Sequence, residues 1–235
     1  MSPEFSTIRG TTPSVSSVLF SGGLDSAVLL ALERRDRDQV WPIHVRAGLA
    51  WEAAEARAIA RLLHAPPFAG RIEPLTTLTV DMRDVYPASH WAVEGRPPAY
   101  DTPDEDVYLE GRNVVLTSKA AVWCGRHGVS RLALGPLSGN PFPDATPEFF
   151  EAMSRALSLG LGSPITLAAP LAGFHKEDVI KLGLELGVPL ELTLSCMNPG
   201  DGDQPCGRCS KCRERDVAFA ATALHNPKGP TTARS

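Results

Sequence analysis

Four cysteines late in the chain are spaced as metal ligands. Cys196, Cys206, Cys209 and Cys212 form the pattern C-x9-C-x2-C-x2-C. A C-x2-C turn brings two thiolates onto one ion, and four thiolates complete the closed tetrahedral shell of a structural Zn²⁺ site. An iron–sulfur cluster is also held by cysteine thiolates, so the spacing leaves both kinds of metal open. A closed shell leaves no position for catalysis, so we expect this site to anchor the segment that carries it. The fifth cysteine, Cys124, is expected to be a packed core thiol.

A second group of residues has the composition of a phosphate-binding turn. It lies between a β-prone run and a helical one, and consists of Phe20, Ser21, Gly22, Gly23, Leu24, Asp25 and Ser26. Two glycines allow a tight turn and a close approach of backbone to ligand. The following helix presents free N–H groups and the positive end of its dipole. Asp25 would repel a bare phosphate, so we expect it to hold a Mg²⁺ that the phosphates share. The simpler alternative is a strand-to-helix turn with a serine cap.

Alternating strands and helices must position these residues. Helical spacing of apolar residues predicts six helices, and β-prone runs predict five strands. The helices are expected over 24–35, 51–64, 113–127, 146–159, 176–186 and 212–224, and the strands over 15–20, 39–45, 71–75, 130–134 and 165–168. Helical crossovers between parallel strands favour an α/β fold, a doubly wound, mostly parallel five-stranded sheet. Ligands bind such sheets at the carboxyl ends of the strands.

The composition excludes several classes of protein. The 235 residues are 43% hydrophobic and can bury a core, and no apolar run reaches the roughly 18–20 residues of a membrane span. The first fourteen residues lack a signal-peptide pattern, and the net charge of −4 argues against a nucleic-acid coat or a membrane-surface binder. We therefore expect a cytoplasmic protein without membrane or nucleic-acid partners.

A nucleotide-binding domain is predicted over 15–190, a zinc-binding segment over 191–225 and flexible tails over 1–14 and 226–235. Residues 76–106, rich in proline and acidic residues, are expected to form a long irregular loop.

The turn resembles the PP-loop of the ATP pyrophosphatase superfamily. Together with the four-cysteine pattern, the chain resembles the QueC family of 7-cyano-7-deazaguanine synthases. Stretches over 108–113, 143–149, 170–176 and 192–196 resemble further segments of that family, in the same order. The resemblance covers about Val15 to Leu224. It implies an adenine-nucleotide α-hydrolase-like fold and a homodimer. It also implies a reaction of queuosine-type 7-deazapurine biosynthesis, in which ATP and ammonia convert 7-carboxy-7-deazaguanine to its nitrile. The intermediates would be the adenylated carboxylate and the amide.

The resemblance also implies roles for particular residues. Ser21, Gly22, Gly23, Asp25 and Ser26 would hold pyrophosphate and Mg²⁺, and the four cysteines would hold Zn²⁺. Arg112 and Asn113 would line the active site. Lys176 would neutralise phosphate charge, with a solvated helix lysine as the alternative. Asp144 would contact the amidine edge of the deazaguanine, with a helix cap as the alternative.

Two positions depart from the family's pattern. After the second strand the family carries a Gly-Gln-Arg-His-like run, whereas this chain has Val45-Arg46-Ala47-Gly48. Arg46 could supply a cation from a shifted position and bind substrate. Thr146 stands near the place of a family arginine, and arginine is the best clamp for a planar carboxylate. A diverged enzyme that activates another carboxylate, or that modifies a protein, is therefore an alternative.

Two further functions remain open. A PP-loop tRNA thiolase would need a basic groove for tRNA. The sequence offers one basic patch, partly offset by Glu214 and formed by Arg208, Lys211, Arg213 and Arg215. A non-catalytic nucleotide-binding module, stabilised by zinc, would bind ATP without releasing pyrophosphate.

Overall fold

A five-stranded parallel sheet is the centre of the structure, a computed structural model that describes residues 14–228. The strands lie in the order β3-β2-β1-β4-β5, and every neighbouring pair is parallel. Their bounds are β1 Val15–Leu19, β2 Gln39–Arg46, β3 Thr76–Thr79, β4 Arg131–Ala133 and β5 Thr166–Ala168. The predicted parallel five-stranded sheet is confirmed. The predicted tails lie outside the described residues except for Ser14 and residues 226–228.

Helices connect the strands as crossovers. The helices are α1 Leu24–Asp36, α2 Glu52–His64, α3 Trp91–Glu94, α4 Arg112–Arg126, α5 Pro147–Leu161, α6 Lys176–Glu185 and α7 Ser210–Ala221. The start of α5 is capped, since the Thr146 side chain accepts a hydrogen bond from Phe149 N at 3.1 Å. α7 begins two residues before the predicted start, because Cys209 is its N-cap. Among the described residues, no helix has the length and apolarity needed to cross a membrane.

The third strand lies five residues later than predicted. Glu73 N donates to Val40 O at 3.0 Å, but Pro74 follows and has no N–H with which to continue the ladder. Regular pairing begins only at Thr76, opposite Ile43. The strand prediction over 71–75 is therefore wrong, because one proline interrupts an otherwise β-prone run.

Residues 76–106 are more ordered than predicted. They contain β3, α3 and most of a 3-10 turn at Asp104–Val107. Trp91 of α3 stacks on Trp51 with ring centroids 5.8 Å apart, and Tyr86 Oη donates to Glu110 O at 2.8 Å. Buried side chains such as Met82 share one core cluster with three of the four clustered cysteines. The segment therefore packs on the cysteine-bearing region.

The two faces of the sheet carry separate cores. Val18 of β1 packs with α1, α6 and α7 in one cluster, while its neighbour Ser17 faces Cys124 of α4, with Ser17 Oγ 3.0 Å from the sulfur. Cys124 is fully buried, as predicted for a core thiol. α1 and α6 approach closely at Gly183, where a Cβ would meet Val28 Cγ2 at 2.8 Å. This packing sets the start of α6 beside the turn that precedes α1.

Candidate active site and metal centre

The predicted phosphate-binding turn joins β1 to α1 at the carboxyl end of the central strand. Ser21 Oγ lies 3.2 Å from Ser26 Oγ, and Ser26 Oγ donates to Gly23 O at 3.0 Å. Gly23 is the N-cap of α1 and offers no side chain to cap it. The first turn of α1 therefore presents backbone N–H groups and the positive end of a thirteen-residue helix to the space above the sheet. An anion can bind there.

Gly22 lets the turn pass close to two other segments. Its φ is +74°, and a Cβ there would lie 3.0 Å from Ile59 Cγ1, so a larger residue would be strained. Gly22 O accepts a hydrogen bond from Leu194 N at 2.9 Å. Leu194 lies two residues before Cys196. The segment that carries the cysteines is therefore attached directly to the backbone of the phosphate-binding turn.

A network of ion pairs links the turn to α6 and α7. Lys176 Nζ lies 2.6 Å from Asp25 Oδ2 and 2.6 Å from Glu214 Oε1, and Lys211 Nζ lies 2.6 Å from Glu214 Oε2. The side chain of Lys176 is only 15% exposed, so the alternative of a solvated helix lysine does not hold. Although burial opposes its charge, the carboxylates of Asp25 and Glu214 raise the pKa of Lys176. Burial likewise opposes ionisation of Glu214, but the two lysines lower its pKa to about 2. Lys176 and Glu214 are therefore both charged at neutral pH.

Two adjoining cavities lie over the turn. The first, of about 270 Å³, is bounded by the ends of β1, β2 and β4 and by the start of α4. The second, of about 250 Å³, extends toward Lys176, Lys211 and Glu214. They share Ser21, Gly23, Asp25 and Arg112. Of the other predicted site residues, Phe20, Ser26, Asn113 and Asp144 line the first cavity, and Leu24 and Lys176 line the second. The structure thus brings most of the predicted residues to one place.

Arg46 is the exception among the predicted charged residues. It ends β2 but lines neither cavity, its side chain is 55% exposed, and its Nε lies 3.7 Å from Glu52 Oε2. Glu52 also accepts a hydrogen bond from Ala47 N. A part for Arg46 in substrate binding stays a prediction.

Asp144 joins the start of α4 to the 3-10 turn at Pro143–Ala145. Its carboxylate accepts a hydrogen bond from Asn113 N at 2.9 Å, and its carbonyl oxygen accepts one from Asn113 Nδ2 at 3.1 Å. Burial raises the pKa of Asp144. The carboxylate therefore caps the first turn of α4, which carries Arg112, while it also lines the cavity.

Two buried titratable residues in the cavity walls were not predicted. His44 Nδ1 lies 3.1 Å from Phe20 O, which can only accept, so Nδ1 carries a hydrogen. Burial lowers the pKa of His44, so its ring is neutral, and Nε2 is an acceptor without a hydrogen-bond partner in residues 14–228. Burial also raises the pKa of Glu55 to about 7, against the opposing charge of Arg112. Neither residue belongs to a motif, and Glu55 lies in an alanine- and glutamate-rich helix that indicates a solvated face.

The four clustered cysteines form a compact group. Their sulfur atoms all lie within 4.8 Å of one another, with Cys209 Sγ 3.5 Å and Cys206 Sγ 4.0 Å from Cys212 Sγ. A tetrahedron with Zn–S bonds of about 2.3 Å has edges of about 3.8 Å. Backbone N–H groups of Asn198 and Cys206 donate to Cys196 Sγ at 3.3 Å, as suits a thiolate. The donor set and its spacing therefore fit one tetrahedral metal ion.

Further contacts hold the cysteine-bearing loop on the domain. Asp203, 2% exposed, accepts hydrogen bonds from Arg57 at 2.6 Å and from Arg61 at 2.7 Å, both on α2. Cys209 pairs with Ala99 in an antiparallel bridge. The loop is therefore tied to α2 and to the segment over 76–106, independently of any metal.

Most side chains of the predicted basic patch are paired or buried within the protein. Arg215 is 3% exposed and donates to Leu190 O at 2.9 Å and to Thr193 Oγ1 at 2.8 Å. Arg213 pairs with Asp104 at 3.0 Å, and Lys211 pairs with Glu214. These residues therefore do not form the open basic groove that a tRNA-binding enzyme needs.

Proteins and structures similar to this chain are known. A 7-cyano-7-deazaguanine synthase of Azoarcus sp. (strain BH72) is 31% identical over 217 residues, covering 89% of this chain and 94% of the relative. One from Anaeromyxobacter dehalogenans (strain 2CP-C) is 33% identical over 220 residues, covering 89% and 93%. Among solved structures, a predicted subunit of tRNA methyltransferase from Methanocaldococcus jannaschii is similar with a TM-score of 0.48 at 16% identity, covering 94% of each chain.

A family model supplies the assignment. The model of the queuosine biosynthesis protein QueC matches residues 16–223, which include the phosphate-binding turn, both cavities and all four clustered cysteines. The curated relatives agree with it over nearly their whole length. The chain belongs to the QueC family.

Proposed function

We propose that this chain is an ATP-dependent carbon–nitrogen ligase that converts 7-carboxy-7-deazaguanine and ammonia to 7-cyano-7-deazaguanine. Family membership and the names of the relatives support the reaction. The observation that carries it is the joined cavity in which the phosphate-binding turn, Lys176 and Arg112 meet. Such a cavity can receive a triphosphate at one end and a carboxylate next to its α-phosphorus.

The first half of the reaction makes an amide. The backbone N–H groups at the start of α1 and the ammonium group of Lys176 would hold the β- and γ-phosphates. Arg112 would orient the carboxylate, one oxygen of which attacks the α-phosphorus as pyrophosphate leaves. Ammonia then attacks the carbonyl carbon of the acyl adenylate. The C–O bond to AMP breaks, AMP leaves with that oxygen, and the nitrogen loses a proton to give the amide.

The second half repeats the activation on the amide. The amide oxygen attacks the α-phosphorus of a second ATP, pyrophosphate leaves, and the nitrogen loses one proton. Loss of the remaining N–H proton and cleavage of the C–O bond then release AMP and the nitrile. The same phosphate-binding residues serve both halves, because the leaving group is pyrophosphate each time.

Two metal ions are proposed, each from the ligand atoms that the chain offers. Asp25 would hold a Mg²⁺ that shields the phosphate charge, and its Oδ1 is buried without a hydrogen-bond partner in the described chain. The four cysteines would hold a structural Zn²⁺, which would fix the start of α7. An absorption spectrum separates this from an iron–sulfur cluster, because Zn²⁺ is colourless and a cluster is brown.

Mass spectrometry of the base is the direct test of the reaction. The protein is incubated with ATP, Mg²⁺, ammonia and 7-carboxy-7-deazaguanine, and we expect the nitrile together with AMP and pyrophosphate. The Asp25→Asn variant should lose this activity. A wild-type protein that leaves the base unaltered would overturn the proposed reaction, and unchanged turnover in the variant would overturn the role given to Asp25.

Further measurements address the alternatives and the partners. An adenylate of another carboxylate would favour the diverged enzyme, and ATP binding without pyrophosphate release would favour the non-catalytic module. We further propose ammonia as the nitrogen donor, a homodimer, no nucleic-acid partner and a cytoplasmic setting in which the cysteines stay reduced. Light scattering tests the dimer, and a tRNA-binding titration tests the thiolase alternative.

A further inference from the structure

The first two turns of α7 carry two charged residues into the candidate active site. Lys211 lies between the metal-ligand positions Cys209 and Cys212, and Glu214 follows one helical turn later. Both line the second cavity, together with Ser21, Gly23 and Asp25 of the phosphate-binding turn. They also line a third cavity of about 460 Å³ on the outer side of the same network. The cysteine-bearing helix therefore contributes side chains to the cavity as well as anchoring the segment.

Glu214 bridges two ammonium groups. One of its oxygens lies 2.6 Å from Lys176 Nζ and the other lies 2.6 Å from Lys211 Nζ. Both lysines are thereby held at the end of the cavity that Asp25 borders. The side chain of Lys211 is 31% exposed, about twice the exposure of Lys176, so an incoming ligand can reach it.

The network is electrically balanced when no ligand is bound. Two lysines face two carboxylates, Asp25 and Glu214, which makes burial of these four charges tolerable. Binding of a divalent cation to Asp25 would release Lys176 from that carboxylate. The site would then carry surplus positive charge beside the start of α1, where a polyphosphate is favoured.

We propose that Lys211 is a second phosphate-binding residue of this site and contacts the pyrophosphate portion of ATP together with Lys176. The inference rests on the proposed function, because the anion is taken to be the polyphosphate of ATP. The cysteine-bearing turn then has a second role beside metal binding, because it positions Lys211 next to the pyrophosphate that leaves ATP. The alternative is an ordinary helix-surface pair between residues 211 and 214, which would leave phosphate binding unaffected.

Binding of inorganic pyrophosphate in the presence of Mg²⁺ tests the proposal. The metal-loaded full-length protein and its K211M, K211R and K181M variants are titrated by calorimetry, with metal content measured for each. Lys181 is an exposed lysine of α6 that lines none of these cavities, so K181M is the matched control. K211M should bind pyrophosphate about tenfold more weakly, the change expected for one partly screened charge-assisted contact. K211R should recover most of this affinity, K181M should match the wild type, and adenosine binding should not change.

Chemical labelling of the wild-type protein gives a second measurement that needs no variant. Pyrophosphate should protect Lys211, and not Lys181, from acetylation by an amine-reactive reagent. Unchanged affinity in K211M, unprotected Lys211, or a wild-type protein that binds no pyrophosphate would each overturn the inference. If Lys211 is protected but no nitrile forms, the proposed function fails and this inference stands. If nitrile forms and Lys211 is not protected, the proposed function stands and the inference about Lys211 fails.

Discussion

Replacement of Lys176 by methionine separates the structural from the chemical part of the ion-pair network. Methionine keeps most of the apolar stem of lysine but removes the ammonium group. Asp25 and Glu214, both of which contact that group at 2.6 Å, then lose their shared cation. We expect the variant to be less stable and also less active, for two different physical reasons.

The magnitude follows from the exposure of the partners. Breaking a fully buried ion pair by removing one partner costs about 3–5 kcal/mol. The side chains of Asp25 and Glu214 are 28% and 21% exposed, so water screens part of the loss and we expect about 2 kcal/mol. For a chain of this size that lowers the melting temperature by roughly 4–8 °C. Loss of a charge-assisted contact to phosphate costs about 1.5–3 kcal/mol more in the transition state, a fall of roughly tenfold to a hundredfold in kcat/KM.

A double variant distinguishes the two effects. K176M leaves Lys211 facing two carboxylates, and the second change in K176M/E214Q removes that surplus negative charge. Lys211 also loses its partner Glu214, so up to about 1 kcal/mol of stability should return. The activity should stay low, because the ammonium group is still missing. Thermal unfolding and pyrophosphate release would be measured on wild type, K176M, K176M/E214Q and the control K181M. Wild-type stability in K176M, or recovered activity in the double variant, would refute the reasoning.

Three further changes have defined outcomes. Glu55→Gln should raise the free energy of unfolding near pH 8 by up to about 3 kcal/mol, because burial raises the pKa of Glu55 to about 7 and the folded state disfavours the ionised form. The gain in stability should vanish as the pH falls toward 4.5, the ordinary pKa of a glutamate side chain. If denaturant titrations showed the same gain at every pH, the burial of Glu55 would not be its cause. Asp144→Ala should lower the free energy of unfolding by about 1–2 kcal/mol through loss of the α4 cap, and Asp144→Asn should lie between the wild type and Asp144→Ala. Equal melting temperatures for the wild type and Asp144→Ala would count against the cap. Cys206→Ser should lose bound metal, as measured by elemental analysis, and should weaken pyrophosphate binding if the metal positions α7.

The local features of the chain were well predicted because they depend on neighbouring residues. The turn between β1 and α1 needs only two glycines and flanking hydroxyls between a strand and a helix, and its binding of phosphate stays a prediction. The helix predicted from residue 146 begins at Pro147, because Thr146 caps it and proline fits its first position. Where a local pattern misled, the cause was again local: Pro74 lacks the N–H that would have begun β3 earlier. Roles of individual site residues stay predictions until the variants are measured.

The sequence by itself determined the order of strands and helices, the metal-ligand spacing and the composition of the phosphate-binding turn. These are short-range properties, readable from residues a few positions apart. Only the tertiary structure decided which charges meet. Lys176 reaches Asp25 across 151 positions, and Arg215, which belongs to a basic patch in the sequence, is buried against Leu190 and Thr193. Burial, pairing and pKa depend on segments that folding brings together from far apart, so the charge of a residue in the sequence does not reveal whether it faces water, a partner or a substrate.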